Sequence, residues 1–137
     1  GCRNVSKLYV PEGYDFGFLL ETLHEYREIV NHNKYKNNFD YTLTLWLLNQ
    51  VPYQNNGCLL LKEEKSLQAR IASVHYEFYT GMAPLTAELQ ARKDEIQCVV
   101  GQCSLPPVPV LPFGKSQEPE LEDYADGVDT LDFLTKL

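Results

Sequence analysis

The chain has 137 residues, a length typical of one domain with its own hydrophobic core. Its composition, 44% hydrophobic and 23% charged, is that of a globular protein and excludes a disordered one. The net charge of −7 argues against binding to a nucleic-acid backbone. No apolar stretch approaches the ~20 residues of a membrane span, and the N-terminus does not resemble a signal peptide, so we expect a cytoplasmic protein with no membrane span.

The negative charge is concentrated near the C-terminus. Between positions 116 and 132 there are seven acidic residues and no basic one, whereas the remainder of the chain is balanced. The seven residues are Glu118, Glu120, Glu122, Asp123, Asp126, Asp129 and Asp132. The acidity is therefore a property of one segment and not of the whole surface.

The first predicted elements are a strand and a helix. Val5–Val10 is rich in strand-forming residues and ends at Pro11, where the chain must turn. Asp15 is a suitable N-cap for the helix that follows, and apolar residues then repeat at helical spacing as far as 31–33. The repeating residues are Phe16, Leu19, Leu20, Leu23, Tyr26 and Val30.

A second helix and a second strand are predicted in the middle of the chain. Tyr41–Gln50 is apolar on most sides, which favours a buried helix, with Asn38 or Asp40 as its N-cap. Pro52 ends this helix. Cys58–Leu61 then reads as a short buried strand after a turn.

The remaining segments continue the alternation of strands and helices. We predict a strand over Ile71–Tyr79, a helix over Pro84–Asp94, a strand over Ile96–Gly101, an extended piece over Pro106–Pro109 and a last helix over Thr130–Leu137. Alternation of this kind favours an α/β fold with a mainly parallel sheet and flanking helices.

The four cysteines fit no paired metal or redox spacing. Cys58 and Cys98 lie in apolar strand segments, where a thiol usually acts as a small buried hydrophobic group. A disulfide between Cys98 and Cys103 stays open, although a cytosolic chain keeps thiols reduced. Cys2 differs because it lies beside Arg3, and a neighbouring cation lowers the pKa of a thiol.

The histidines and acidic residues do not predict a metal site. His24 and His32 are too far apart along one helix to bind a metal together and are expected at the surface. Alternation places His75 and Glu77 on one face of a strand, and an edge strand with an exposed Glu77 is the simplest interpretation. Asp123–Asp129 lacks the ligand spacing of a calcium loop, so it is interpreted as an acidic turn that caps the last helix through Asp129.

Three segments resemble one family. Cys2–Pro11 resembles the catalytic-cysteine segment of the aldehyde dehydrogenase superfamily and is most similar to that of the long-chain acyl-CoA reductases of the LuxC type. Pro112–Lys115 resembles the Pro-Phe-Gly-Gly segment of the superfamily, and positions 113–130 are typical of the acyl-CoA reductase branch. The strand around Glu77 and Phe78 resembles the Glu-x-Phe strand that contacts the nicotinamide ribose, although Phe78 here follows Glu77 directly.

The resemblance implies reduction of a fatty acyl-CoA thioester to an aldehyde with NADPH or NADH. Cys2 would be the nucleophile and would form an acyl-enzyme thioester, with its backbone N–H contributing to an oxyanion hole. Glu77 would orient the cofactor ribose, and Phe113 and Gly114 would form part of the wall of the site. The implied partner is the acyl-CoA substrate, and no metal is implied.

The resemblance also implies that residues 1–137 form a single domain, the C-terminal part of a longer enzyme without its cofactor-binding domain. The sequence contains neither the G-x-G-x-x-G signature nor a P-loop. We therefore expect an aldehyde dehydrogenase catalytic-domain-like fold, no turnover by the chain alone, and apolar surface that favours a homo-oligomer. Two alternatives remain: an interaction or assembly module with an acidic docking segment, and another reductase of the superfamily, such as a glutamyl-phosphate reductase-like enzyme.

Overall fold

A computed structural model describes residues 4–121, 123–124 and 127–137. Cys2, the predicted nucleophile, lies outside the described residues, as do Glu122 and Asp126 of the acidic segment. The chain divides into two compact units, Gly1–Gly81 and Met82–Leu137. Each unit is described by itself.

The first unit is built on a four-stranded mixed sheet. Its strands are β1 (Lys7–Pro11), β2 (Gln54–Asn55), β3 (Leu60–Glu63) and β4 (Ser73–Tyr79). Their order across the sheet is β1-β4-β3-β2. Strand β4 pairs in parallel with both β1 and β3, and β2 pairs antiparallel with β3. The predicted α/β class is confirmed, with two of the three strand pairings parallel.

Two helices cover opposite faces of this sheet. They are α1 (Gly17–His24) and α2 (Asn33–Leu48), and a short 3-10 helix, Arg27–Asn31, lies between them. The core on the α1 side contains Val10, Phe16, Leu61 and Val74. The core on the α2 side contains Phe39, Leu60 and Ala72. Consecutive strand residues face opposite sides, so Leu60 and Leu61 at the start of β3 are both fully buried, one in each core.

The boundaries of both helices differ from the sequence prediction. The first helix stops at His24 instead of reaching 31–33, because the chain tightens there into hydrogen bonds between residues three apart. The predicted start of the second helix at Asn38 or Asp40 is wrong. Asn38 lies inside α2 and donates its amide to the Lys34 carbonyl at 2.7 Å, and Asp40 accepts from Lys36 at 2.9 Å.

The second unit has two helices and a small sheet. Its elements are α3 (Met82–Ala91), a 3-10 helix (Lys93–Glu95), β5 (Val99–Val100), β6 (Val110–Leu111) and α4 (Thr130–Thr135). Strands β5 and β6 pair in parallel. The last helix is capped as predicted, because the Asp129 carboxylate accepts the backbone N–H of Asp132 at 2.9 Å. In neither unit is any described helix long and apolar enough to cross a bilayer.

Candidate functional site

Five polar side chains form a cluster on the α2 side of the first unit's sheet. Lys7, His75 and Lys62 are register partners on β1, β4 and β3, so their side chains share one face. Glu77 shares that face because it lies two residues after His75, and Glu64 joins it through an ion pair with Lys62 at 2.9 Å. We call these residues the polar cluster.

A buried ion pair lies at the centre of the polar cluster. The Lys7 ammonium donates to Oε2 of Glu77 at 2.8 Å and to the main-chain carbonyl of Glu64. The Lys7 side chain is only 5% exposed, whereas that of Glu77 is 22% exposed. The Lys7 ammonium also lies 5.1 Å from the centre of the Tyr9 ring. The Glu77 carboxylate therefore compensates the charge of the Lys7 ammonium, whose burial without a counter-charge would be costly.

The interpretation of β4 as an edge strand is wrong. Strand β4 lies between β1 and β3, and its Glu77 is part of an ion pair instead of being freely exposed. The partner, Lys7, is 70 positions away in the sequence, so alternation within one strand could not reveal it. The one signal in the sequence was Lys7 itself, the single charged residue of the predicted strand Val5–Val10.

The surroundings of His75 in the polar cluster favour its neutral form. Its Nδ1–H donates to the Ser66 carbonyl at 2.9 Å, since a carbonyl oxygen can only accept. Burial lowers the pKa of the imidazole below its ordinary value, and the charges of Lys62 and Lys7 lower it further. The Ser66 carbonyl and the Glu64 carboxylate act in the opposite direction and raise the pKa in part.

We expect His75 to make the first unit less stable as the pH falls. In the unfolded chain the imidazole binds a proton near its ordinary pKa, but in the folded chain it binds one only at lower pH. The free energy of unfolding should therefore fall from about pH 7 towards about pH 5. Urea unfolding across this range should show a weaker dependence in His75→Gln. Substitution of the exposed His32 should leave the dependence intact; equal slopes in all three proteins would contradict the prediction.

The other residues predicted for the site lie in different parts of the chain. Glu77 belongs to the first unit, whereas Phe113 and Gly114 belong to the second. Phe113 is exposed, and the Lys115 N–H bonds to the Pro112 carbonyl at 3.2 Å, which closes a turn. Gly114 has a φ of 81° in this turn, a conformation that favours glycine. The turn and Glu77 therefore belong to different units.

Two cysteine predictions have opposite outcomes. Cys58 is buried as expected, and burial raises the pKa of its thiol. The prediction that Cys98 is buried is wrong: it is exposed, because the strand there contains only Val99–Val100. Cys98 and Cys103 are both free thiols in this structure. Cys98 is thus an accessible thiol in the second unit.

An apolar cleft in the second unit was not anticipated from the sequence. It has a volume of about 340 Å³ and is lined by Leu89 of α3, Ile96, Cys98, Val99 and Val108. These residues come from separate segments, so no local sequence pattern predicts the cleft. Among the described residues, no group of His, Cys, Asp and Glu side chains is arranged to hold a metal ion.

Comparison with known proteins does not extend these observations. No family model matches the chain, and neither a curated protein nor a solved structure is similar to it at a significant level.

Proposed function

We propose that this chain is the acyl-accepting part of an NAD(P)H-dependent acyl-CoA reductase, with Cys2 as its nucleophile. The observation that carries the proposal is the pairing of β1 with β4. Strand β1 begins five residues after Cys2 and belongs to the segment that resembles the catalytic-cysteine segment. Strand β4 carries Glu77, and Tyr9 of β1 is the register partner of Glu77. Two segments that resemble the family are therefore neighbouring strands of one sheet.

The proposed reaction begins with acyl transfer. The Cys2 thiolate attacks the carbonyl carbon of the acyl-CoA thioester, and the tetrahedral intermediate expels the CoA thiolate to form an acyl-cysteine thioester. Arg3, the neighbouring cation, favours the thiolate form of Cys2. A bound nicotinamide cofactor would supply the hydride that reduces the acyl carbon. Collapse of the resulting hemithioacetal then releases the aldehyde and returns the Cys2 thiolate.

Glu77 has one carboxylate oxygen with which it could bind the cofactor ribose. Its Oε2 is engaged with Lys7, so Oε1 is the oxygen that would accept a hydrogen bond from a ribose hydroxyl. A carboxylate with two acceptor oxygens can make both contacts, and the 22% exposure of its side chain allows access. Because the sequence lacks the glycine signature for a pyrophosphate, we propose that the other cofactor contacts come from outside these 137 residues.

Intact-mass spectrometry after incubation with dodecanoyl-CoA tests the proposal. We expect the enzyme that contains this chain to gain the mass of one dodecanoyl group, and Cys2→Ala to abolish that gain. Cys98→Ala and Cys103→Ala are matched controls because they remove exposed thiols that the proposal does not use. An enzyme without an adduct, or an adduct that survives Cys2→Ala, would contradict the assignment.

The proposal also predicts that the 137-residue chain alone does not complete the reaction. Its sequence has no dinucleotide signature, so hydride transfer should not occur. Aldehyde formation by the isolated chain with NADPH or NADH, detected by mass spectrometry of an aldehyde-trapping reagent, would contradict this prediction.

A second candidate function is a docking module. The last residues of the chain combine acidic side chains with exposed apolar ones such as Leu131 and Leu137. A segment of this kind suits a basic partner, and its binding would weaken strongly with salt. Acylation of Cys2 separates the two functions, because a pure docking module has no use for a nucleophile.

A further inference from the structure

The last helix presents its apolar face to solvent. On α4, Asp132 and Lys136 form an ion pair at 2.7 Å along one side. The remaining arc of the helix and its end are apolar and range from 57% to 89% exposed; these residues are Leu131, Phe133, Leu134 and Leu137. An amphipathic helix is stabilised by burying its apolar side, so this arrangement indicates that α4 is completed by a partner surface.

The outer side of α2 is a second surface with solvent-exposed apolar side chains. Residues spaced three or four apart form one stripe on the side opposite the core. They are Lys34, Asn37, Tyr41, Thr44 and Leu48. Tyr41 and Leu48 are largely exposed, and the Arg70 guanidinium lies 4.9 Å from the centre of the Tyr41 ring. This outer stripe therefore joins apolar groups with the cations Lys34 and Arg70.

The two surfaces are complementary in charge. The stretch that leads into and includes α4 contains seven acidic residues between 116 and 132 and no basic one. The outer stripe contributes the cations Lys34 and Arg70, and the acidic residue beside it, Asp40, is already paired with Lys36. Because one chain carries both surfaces, a second copy supplies the matching partner for each without any other protein.

We propose that the chain self-associates by packing the apolar face of α4 in one copy against the outer stripe of α2 in another. The apolar side chains supply the attraction, and the acidic and basic residues select the pairing and speed the encounter. This inference does not rest on the proposed enzymatic function, since Cys2 has no part in it.

Sedimentation analysis of the full chain across a wide concentration range tests this inference. We expect the average mass to rise with concentration, and the dissociation constant to increase at high ionic strength. Leu134→Glu on α4 and Leu48→Glu on α2 should each raise that constant at least about tenfold. Phe18→Glu is the matched control because it alters a similarly exposed apolar side chain on α1, outside both surfaces, and should change little.

Circular dichroism of the same variants separates loss of association from loss of folding. All three replaced side chains are exposed, so the spectra and melting temperatures should stay close to those of the original chain. A chain that remains a monomer at every concentration would overturn the inference. So would association that survives either Leu134→Glu or Leu48→Glu, because each surface is required.

Discussion

Replacing Glu77 with leucine should destabilise the first unit by about 3 kcal/mol or more, because it leaves a buried ammonium without its counter-charge. The Lys7 side chain is only 5% exposed, so water can do little to replace the lost carboxylate. Its second partner, the Glu64 carbonyl, accepts one hydrogen bond but carries no full charge. Urea unfolding followed by circular dichroism measures the loss.

The order of stability of the single variants is a sharper test than the size of each loss. Lys7→Met should cost less than Glu77→Leu, because the 22% exposed carboxylate that remains can still contact water. The double variant Lys7→Met with Glu77→Leu should recover part of the loss, since two apolar side chains replace a charged pair.

The exposed pair Lys36–Asp40 provides the control for the buried pair. Its side chains are 55% and 51% exposed, so Lys36→Met should cost at most about 0.5 kcal/mol. If Glu77→Leu lost no more stability than Lys36→Met, or if the double variant were the least stable protein, the Lys7–Glu77 contact would not stabilise the fold.

Replacing Phe16 with alanine should cost about 3–5 kcal/mol, because it removes an aromatic ring from the core of the first unit. Phe16 is 2% exposed, and its ring centre lies 4.4 Å from that of Tyr76 and 6.5 Å from that of Phe78. Thermal and urea unfolding should both report the loss.

Phe18→Ala is the matched control because it removes the same side chain two residues later. Phe18 is 78% exposed, so its replacement should change stability by no more than about 0.5 kcal/mol. Similar losses for the two variants would mean that Phe16 does not hold β4 against the segment before α1.

Local chemistry explains the parts of the fold that the sequence predicts well. Proline has no N–H to donate, so Pro11 marks the end of β1. Asp129 caps α4 because its short carboxylate reaches the backbone N–H of Asp132. Alternation places His75 and Glu77 on one face of β4 because side chains in a strand point to alternate sides. Each of these features depends on residues that are close in sequence.

Long-range packing explains the parts that sequence reasoning misses. Asn38 and Asp40 look like helix caps when read alone, yet they lie inside α2 because Tyr35 and Phe39 pack against the sheet and extend the helix. Cys98 looks buried because its neighbours are apolar, yet the short β5 leaves it exposed. In both cases tertiary contacts override local preference.

The candidate site divides in the same way. The sequence alone leads to Cys2 as a nucleophile, because the residues around it resemble a catalytic segment. Only the tertiary structure shows that β1, which follows Cys2 in the sequence, lies beside the strand of Glu77. It also shows that Glu77 forms an ion pair with Lys7. The reason is physical: Lys7 on β1 and Glu77 on β4 are 70 positions apart, and a contact at that separation depends on how the strands of the sheet assemble. By itself, then, the sequence determined the α/β class and the chemistry expected of Cys2. The assembled sheet decided where β4 lies and what Glu77 contacts.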